Sequence, residues 1–195
     1  MSKANFNVIL HPEARLAAQD MEKRLGIPSI ELTRLYQIDK IRSQYQAFAG
    51  ALGGAADDTV WYDEAAADAA EAAKRYGGTT IAVGEMQNGN AFEMALALTQ
   101  YGFVVKEIYA SVSPYDFAYI RRLEALSPDT EVYSNLSPSM LYYEGGDHPI
   151  ELTIGKDAAY YHDDAAHVFW DEEIQPFGYD GLRELLRQIS AALEG

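Results

Sequence analysis

The apolar and polar positions of the first fifty residues alternate between strand-like and helical spacing. Residues 6–10 predict a buried strand, and Pro12, which needs no N–H in a first helical turn, opens a predicted helix over residues 12–25. A short strand over residues 27–32 and a helix over residues 37–52 follow. This strand–helix–strand–helix unit has too few strands to close a core of its own.

A regular alternation begins after an alanine-rich helix that is predicted over residues 57–76 and ends at Gly77-Gly78. The predicted strands are 79–84, 103–109, 131–133, 151–154 and 167–169, and the predicted helices are 90–101, 114–126, 138–144, 156–161 and 179–193. Ser113 is predicted to cap the helix that Pro114 opens. Repeated strand–helix alternation indicates a parallel sheet with right-handed crossovers.

The fold class is therefore α/β, with Rossmann-like parallel sheets that are flanked by helices and two units that are joined by a long helix. Residues 1–54 are predicted to form a partial Rossmann-like unit, residues 55–78 the connecting helix, and residues 79–195 a Rossmann-like domain.

Composition narrows the functional classes. The 195 residues carry a formal charge of −15, which disfavours nucleic acid and anionic membrane surfaces as partners. No apolar run has the length of a membrane span, and the N-terminus shows no apolar core of a signal peptide. Cysteine is absent, so the chain holds no disulfide and no thiolate metal site, and we expect a cytoplasmic protein.

Candidate ligand-binding residues follow from the fold, because ligands of open parallel sheets bind beyond the carboxyl ends of the strands. The candidates are His11, Glu85, Asn88, Ser113, Asn135 and His167. The loop over residues 84–89 resembles a nucleotide loop only in its glycines and lacks the spacing of known phosphate-binding motifs. His162 and His167 with the acids between them could bind a metal, but a polar loop is the favoured interpretation and no metal site is predicted.

Two segments carry a family resemblance. Met21-Glu22-Lys23-Arg24-Leu25-Gly26-Ile27-Pro28 closes the first helix, and Gln175-Pro176-Phe177-Gly178-Tyr179-Asp180-Gly181-Leu182 opens the last one. Their order and separation resemble the nitrogenase component 1 type oxidoreductases, which include nitrogenase subunits, cofactor-assembly scaffolds and protochlorophyllide reductase subunits. The resemblance covers nearly the whole chain and the C-terminal half of a typical member.

The resemblance implies three Rossmann-like domains around a metal cluster, with this chain supplying the end of the middle domain and the third domain. It places a cluster cysteine where this chain has Leu10-His11-Pro12, and the cofactor histidine where it has Val168, with His167 as a neighbour. A thiolate ligand cannot be replaced by leucine or proline. An iron–sulfur-type cluster is thus predicted only with a missing N-terminal half or a partner subunit.

Three functional hypotheses remain. The first is the C-terminal portion of a nitrogenase component 1-like oxidoreductase or cofactor-assembly subunit, which oligomerises with a nitrogenase-like subunit or N-terminal half and is not catalytically competent alone. The second is a cluster-free module that binds a small molecule between the two units, near His11, Glu85, Ser113 and Asn135. The third is a nicotinamide-dependent enzyme, which the absent glycine fingerprint disfavours.

Overall fold

Seven strands form two separate parallel sheets in the computed structural model, which describes residues 4–85, 89–145, 148–171 and 174–195. The strands are β1 (Asn7–Ile9), β2 (Ser29–Glu31), β3 (Thr80–Gly84), β4 (Val104–Tyr109), β5 (Glu131–Tyr133), β6 (Leu152–Ile154) and β7 (Ala166–Val168). The helices are α1 (Arg15–Leu25), α2 (Ile38–Ala51), α3 (Thr59–Tyr76), α4 (Ala91–Gln100), α5 (Phe117–Leu126), α6 (Lys156–Tyr161) and α7 (Gly178–Glu194). The predicted α/β class with helix-flanked parallel sheets is confirmed.

The first sheet contains only β1 and β2, which pair in parallel with Asn7 opposite Ser29 and Ile9 opposite Glu31. A 3₁₀ turn over Pro12–Ala14 leads into α1, which ends at Gly26 in the left-handed conformation with φ of 66°. Two strands of three residues cannot enclose a core. Apolar side chains of this sheet and of α1 are accordingly exposed, among them Leu10 and Leu16.

The second sheet has the strand order β5-β4-β3-β6-β7, with every neighbouring pair parallel. Of these five strands, β3 comes first in the chain and lies at the centre of the sheet, so the order of the strands reverses there. Ligands of doubly wound sheets bind at the carboxyl ends of the strands beside such a reversal.

The main core lies between this sheet and the helices α3, α4 and α7. Helix α4 is buried along nearly its whole length, because it packs against the sheet, α5 and the start of α2. Helix α3 packs along α7, and the guanidinium of Arg183 on α7 binds both Glu64 and Asp68 of α3 at 2.7 and 2.6 Å. The predicted domain limits at residues 54 and 78 stay predictions.

Two predicted helices differ in the structure. Helix α5 begins at Phe117 and not at Pro114, because the Asp116 carboxylate accepts hydrogen bonds from the N–H and hydroxyl of Ser113 and closes a turn before the helix. The helix that was predicted over residues 138–144 is a 3₁₀ turn over Pro138–Tyr142. Pro138 does open its turn, whereas Pro114 lies in a turn that precedes α5, and in both places the residues close tighter turns than an α-helix. No helix in the described parts of the chain is long and apolar enough to cross a membrane.

Candidate functional site

A cleft with a cavity of about 700 Å³ lies between the turn after β1, the segment after β2 and the ends of β3 and β4. His11, Glu85 and Ser113, which were candidates from the sequence, line this one cavity. Each stands directly after a parallel strand, or within a few residues of its end, so the fold brings them to one edge. The sequence predicted a ligand-binding cleft near these three residues and Asn135, and the binding of a ligand there stays a prediction.

His11 lies in the turn between β1 and the 3₁₀ helix. Its Nδ1 accepts a hydrogen bond from the N–H of Glu13 at 3.3 Å, so the imidazole caps this turn. Nearby, Arg15 forms a two-pronged ion pair with Glu31 at 2.7 Å for both contacts, and Glu31 raises the pKa of Arg15. Because Nδ1 accepts the hydrogen bond from Glu13, Nε2 is the ring nitrogen of His11 that can donate to a ligand in the cleft.

Ser113 has a structural partner inside the cleft wall. Its backbone N–H and its hydroxyl both donate to one carboxylate oxygen of Asp116 at 2.7 Å. The other oxygen of Asp116 accepts from the Asn90 amide at 2.5 Å, and the Asn90 carbonyl accepts from the N–H of Glu93 at 2.9 Å. Because the Ser113 hydroxyl donates to a carboxylate and not to a histidine, it is positioned as a ligand-contacting or capping group and not as an activated nucleophile.

The hydrogen-bond chain ends at Glu93, a fully buried carboxylate on α4. It accepts from the backbone N–H groups of Tyr36 and Gln37 at 2.9 and 3.0 Å, and from the Gln37 side chain at 3.1 Å. Burial raises the pKa of Glu93 to about 7, and the three donors partly offset that rise. Glu93 thus caps the start of α2 and joins the first sheet's helices to the main sheet's helices.

The floor of the cleft is made partly by Arg34, which is buried. Its guanidinium donates to the carbonyl of Gln175 at 2.5 Å and lies 4.6 Å from the centre of the Phe177 ring. Burial lowers the pKa of Arg34 from its usual value. The cleft wall therefore combines cationic groups with the acids Glu13, Glu85 and Asp116, so it suits a ligand that carries both hydrogen-bond donors and acceptors.

The remaining candidates lie outside this cavity or outside the described residues. Asn135 donates to Glu85 at 3.4 Å and to Asp157 at 3.0 Å, so it stands beside the cleft and belongs to a neighbouring polar cluster. Burial raises the pKa of Asp157. Asn88 lies outside the described residues. His167 on β7 is not among the cleft residues and its Nδ1 pairs with the Thr153 hydroxyl at 3.1 Å.

The position beside β3 at which the strand order reverses is filled by protein and leaves no room for a ligand. A Cβ on Gly84 at the end of β3 would lie 3.1 Å from the backbone N of Ala158 and 3.3 Å from that of Asp157. The first turn of α6 therefore sits directly against Gly84, and only a residue without a side chain permits this approach. The open space lies instead over β3 and β4, facing the first unit.

The residues present do not fit the metal cluster that the resemblance implies. Leu10 follows β1 with 52% of its surface exposed, and Val168 is buried in β7 with an aliphatic side chain. Neither side chain can ligate iron, and His11 beside Leu10 offers an imidazole but no thiolate. Within residues 4–85, 89–145, 148–171 and 174–195, no three His, Asp or Glu side chains are grouped to hold a metal ion.

Three residues of this region were not singled out from the sequence. Glu93 could have been noticed, because it is the one charged residue in the apolar run Ala91-Phe92-Glu93-Met94-Ala95 and so is a candidate for a paired buried acid. Arg34 and Trp170 gave no such signal. Their roles depend on contacts with Gln175 and Tyr36, which lie 141 and 134 residues away in the chain.

Comparisons with known proteins agree with this fold. The family model for "Nitrogenase component 1 type Oxidoreductase" matches residues 1–194. A solved structure titled "Nitrogenase Cp1 at pH 6.5" is similar with a TM-score of 0.78 and 16% identity, over 99% of this chain and 46% of that chain. The chain thus spans less than half the length of that neighbour, and an identity this low supports the fold alone. No curated protein matches the sequence.

Proposed function

The chain belongs to the nitrogenase component 1 type oxidoreductase family, and we propose that it forms the C-terminal portion of an oxidoreductase or cofactor-assembly subunit whose metal cluster is held by protein outside this chain. The observation that carries the proposal is the two-stranded first sheet. A parallel sheet is normally covered on both faces. Here the sheet and α1 expose Val8, Leu10, Leu16 and Leu25 by 41 to 70%.

These exposed side chains favour a covering protein surface. Because these four side chains are 41 to 70% exposed, burying the rest of each would gain about half of the roughly 1.5–3 kcal/mol of a fully exposed side chain. Further strands or a partner subunit against β1 and α1 would bury them and would also bring ligands to the cleft beside His11. The absence of cysteine in the chain is consistent with cluster ligands that come from that covering protein.

The test is anaerobic co-expression of the chain with a nitrogenase component 1-like N-terminal half or subunit. We expect a complex of defined mass that contains iron and sulfide, whereas the chain purified alone binds no more than trace iron. Leu16→Asp should abolish the complex, because Leu16 is 70% exposed and would meet the covering surface. Leu141→Asp is the matched control, since Leu141 is 82% exposed on the other unit.

Hydrogen exchange of the isolated chain tests whether the first sheet is unstable without a covering protein. We expect the amides of β1 and β2 to exchange much faster than those of β3 and β4. A stable monomer whose β1 amides are as protected as those of β3 would contradict the proposal. Tight iron binding by the chain alone would contradict the assignment of the cluster to another protein.

A second candidate function rests on the cavity of about 700 Å³. In this alternative the chain is a cluster-free module that binds a small molecule in the cleft, with His11 and Glu85 as contacts. Thermal-shift screening with metabolite and nucleotide collections tests it. A genuine ligand of the cleft should raise the melting temperature of the parent chain and should lose that effect in His11→Ala. A screen without any shift would count against this function.

A further inference from the structure

A second cavity, of about 460 Å³, opens where α2, α3 and the start of α7 meet. It shares no described lining residue with the cleft. Its walls contain five aromatic rings, and we call it the aromatic cavity. The rings are those of Tyr45, Phe48, Trp61, Phe177 and Tyr179.

The rings come from α2, α3, and α7 with the residue that precedes it. Tyr45 of α2 and Tyr179 of α7 pack with their ring centres 5.5 Å apart, and Tyr179 is buried. Trp61 of α3 is 54% exposed, so its indole forms part of the cavity mouth. Five rings therefore line one space, and the face of an aromatic ring carries a negative electrostatic surface.

Every charged side chain that is described in the cavity wall is acidic. Asp57 and Asp180 are exposed, and Asp58 is buried between the Tyr179 hydroxyl at 2.5 Å and the Arg42 guanidinium at 3.3 Å. Burial raises the pKa of Tyr45, and the carboxylates of Asp180 and Asp58 raise it further. The negative potential of these acids therefore reaches the interior of the cavity.

A cation already occupies this kind of environment beside the cavity. The Arg42 guanidinium lies 4.2 Å from the centre of the Tyr62 ring while its Nε pairs with Asp58. Arg42 itself is not among the residues that line the cavity. The aromatic cavity also combines rings with carboxylates, but none of its described lining residues carries a cationic side chain.

We propose that the aromatic cavity binds a small organic cation, an ammonium group with apolar substituents. Aromatic rings attract a desolvated ammonium through their π-faces, and a group of such rings recognises quaternary ammonium compounds. Asp57 and Asp180 at the rim supply the opposite charge. An anion would be repelled by these acids, and a neutral apolar molecule would desolvate them without any compensating charge.

The probe is choline, and its neutral isostere 3,3-dimethyl-1-butanol is the comparison, with sodium chloride adjusted to keep the ionic strength constant. Tryptophan emission reports binding, because Trp61 is at the mouth while Trp170, the only other tryptophan, is fully buried elsewhere. We expect a saturable change with choline and an affinity about tenfold higher than for the isostere. Trp61→Phe should remove the emission change but keep binding by calorimetry.

Two variants locate the site, and one control accounts for the overall charge. Asp180→Asn should weaken choline binding about fivefold, since one nearby carboxylate charge is lost. Phe48→Leu should also weaken it, because a ring face is replaced by an aliphatic surface. Asp129→Asn makes the same charge change at an exposed turn outside the cavity and should leave the affinity within about twofold of the parent.

Equal affinity for choline and the isostere would overturn the proposal in favour of simple apolar binding. Equal weakening by Asp180→Asn and Asp129→Asn would overturn it in favour of general attraction to a chain with charge −15. Failure of choline to bind the parent chain would also overturn it. Because the cleft and β1 are not involved, none of these results bears on the proposed association with a covering subunit.

Discussion

The indole N–H of Trp170 donates a hydrogen bond to the hydroxyl of Tyr36 at 2.6 Å, and neither side chain is exposed to solvent. Tyr36 lies between β2 and α2, and Trp170 follows β7. The contact therefore joins the segment after the first sheet to the segment after the last strand of the second sheet. The two rings meet edge to face with centres 6.3 Å apart. Together with Glu93, this pair holds the start of α2 against the larger sheet.

Tyr36→Phe is expected to lower the free energy of unfolding by about 1–3 kcal/mol, because the Trp170 N–H is then buried without its acceptor. Urea denaturation followed by circular dichroism measures the change. Tyr142→Phe removes the same hydroxyl from a residue that is 88% exposed and should change stability little. Equal effects of the two substitutions would show that the buried bond contributes nothing specific.

Gly178 and Tyr45 form a contact that constrains the entry to α7. A Cβ at residue 178 would lie 1.8 Å from the Tyr45 hydroxyl oxygen, and the glycine has φ of 63°. Gly178→Ala should therefore destabilise the chain by about 2–4 kcal/mol, through overpacking and left-handed backbone strain. Chemical denaturation of the variant measures this loss.

Two companion variants separate the causes. Gly50→Ala, inside α2 with no atom within 4 Å of the added carbon, should stabilise by about 0.5–1 kcal/mol. Tyr45→Ala combined with Gly178→Ala should cost less than the sum of the single changes, because the clash is then absent. Additive costs would show that the loss of stability in Gly178→Ala comes from backbone strain alone and not from the clash with Tyr45.

Much of the fold follows from local pattern. The sequence predicts Glu131–Tyr133 and Lys156–Tyr161 with the observed bounds, and β3 and β4 to within one residue, because periodicity and glycine stops are local signals. The helix after Ser113 was placed three residues early. There the outcome depends on whether Ser113 caps the helix or donates to Asp116, and spacing alone does not decide between these arrangements.

Less of the candidate site than of the fold could be predicted from the sequence. Parallel topology brings the residues after neighbouring strand ends to one edge, and His11, Glu85 and Ser113 line one cavity there, but their role in binding stays a prediction. His167 lies on β7 at one end of the sheet order and its side chain pairs with Thr153, and its predicted role in ligand binding stays a prediction. The aromatic cavity depends on α7 returning to α2 and α3, which no local pattern encodes.

Glu107 on β4 is a buried acid with two partners on one oxygen. It accepts from the Tyr109 hydroxyl at 2.5 Å, and His162 Nε2 lies at 2.6 Å from the same oxygen. Glu107→Leu should lower the free energy of unfolding by about 1–3 kcal/mol, since the buried Tyr109 hydroxyl then keeps only its longer contact of 3.2 Å with His162 Nε2. Burial and the neighbouring Glu107 keep the pKa of Tyr109 above its usual value, so the hydroxyl stays protonated.

Glu131→Leu is the matched control for this acid. Glu131 stands directly opposite Glu107 in the sheet register but is about half exposed, and it also accepts from a tyrosine hydroxyl, that of Tyr133. Solvent can replace the lost acceptor there, so we expect a change below about 1 kcal/mol. A cost as large as that of Glu107→Leu would contradict the importance of burial.

Glu93 predicts a specific dependence of stability on pH. Burial raises its pKa from 4.5 to about 7, so the folded state holds this proton more tightly than the unfolded state. The resulting contribution to stability is fully present below the unfolded pKa of 4.5 and is lost as the pH rises through 7. A shift of this size corresponds to about 3 kcal/mol between pH 4 and pH 8.

Glu93→Gln isolates that contribution, because glutamine is uncharged at every pH and its carbonyl can still accept from the N–H groups of Tyr36 or Gln37. We expect the free energy of unfolding of the parent to fall relative to the variant between pH 5 and pH 8. Urea denaturation of both proteins at intervals across that range measures the difference, and the remaining acids cancel because both chains share them. Parallel pH profiles would show that Glu93 titrates at its ordinary pKa, and the carboxylate at the start of α2 would then be held by its three donors strongly enough to offset its burial.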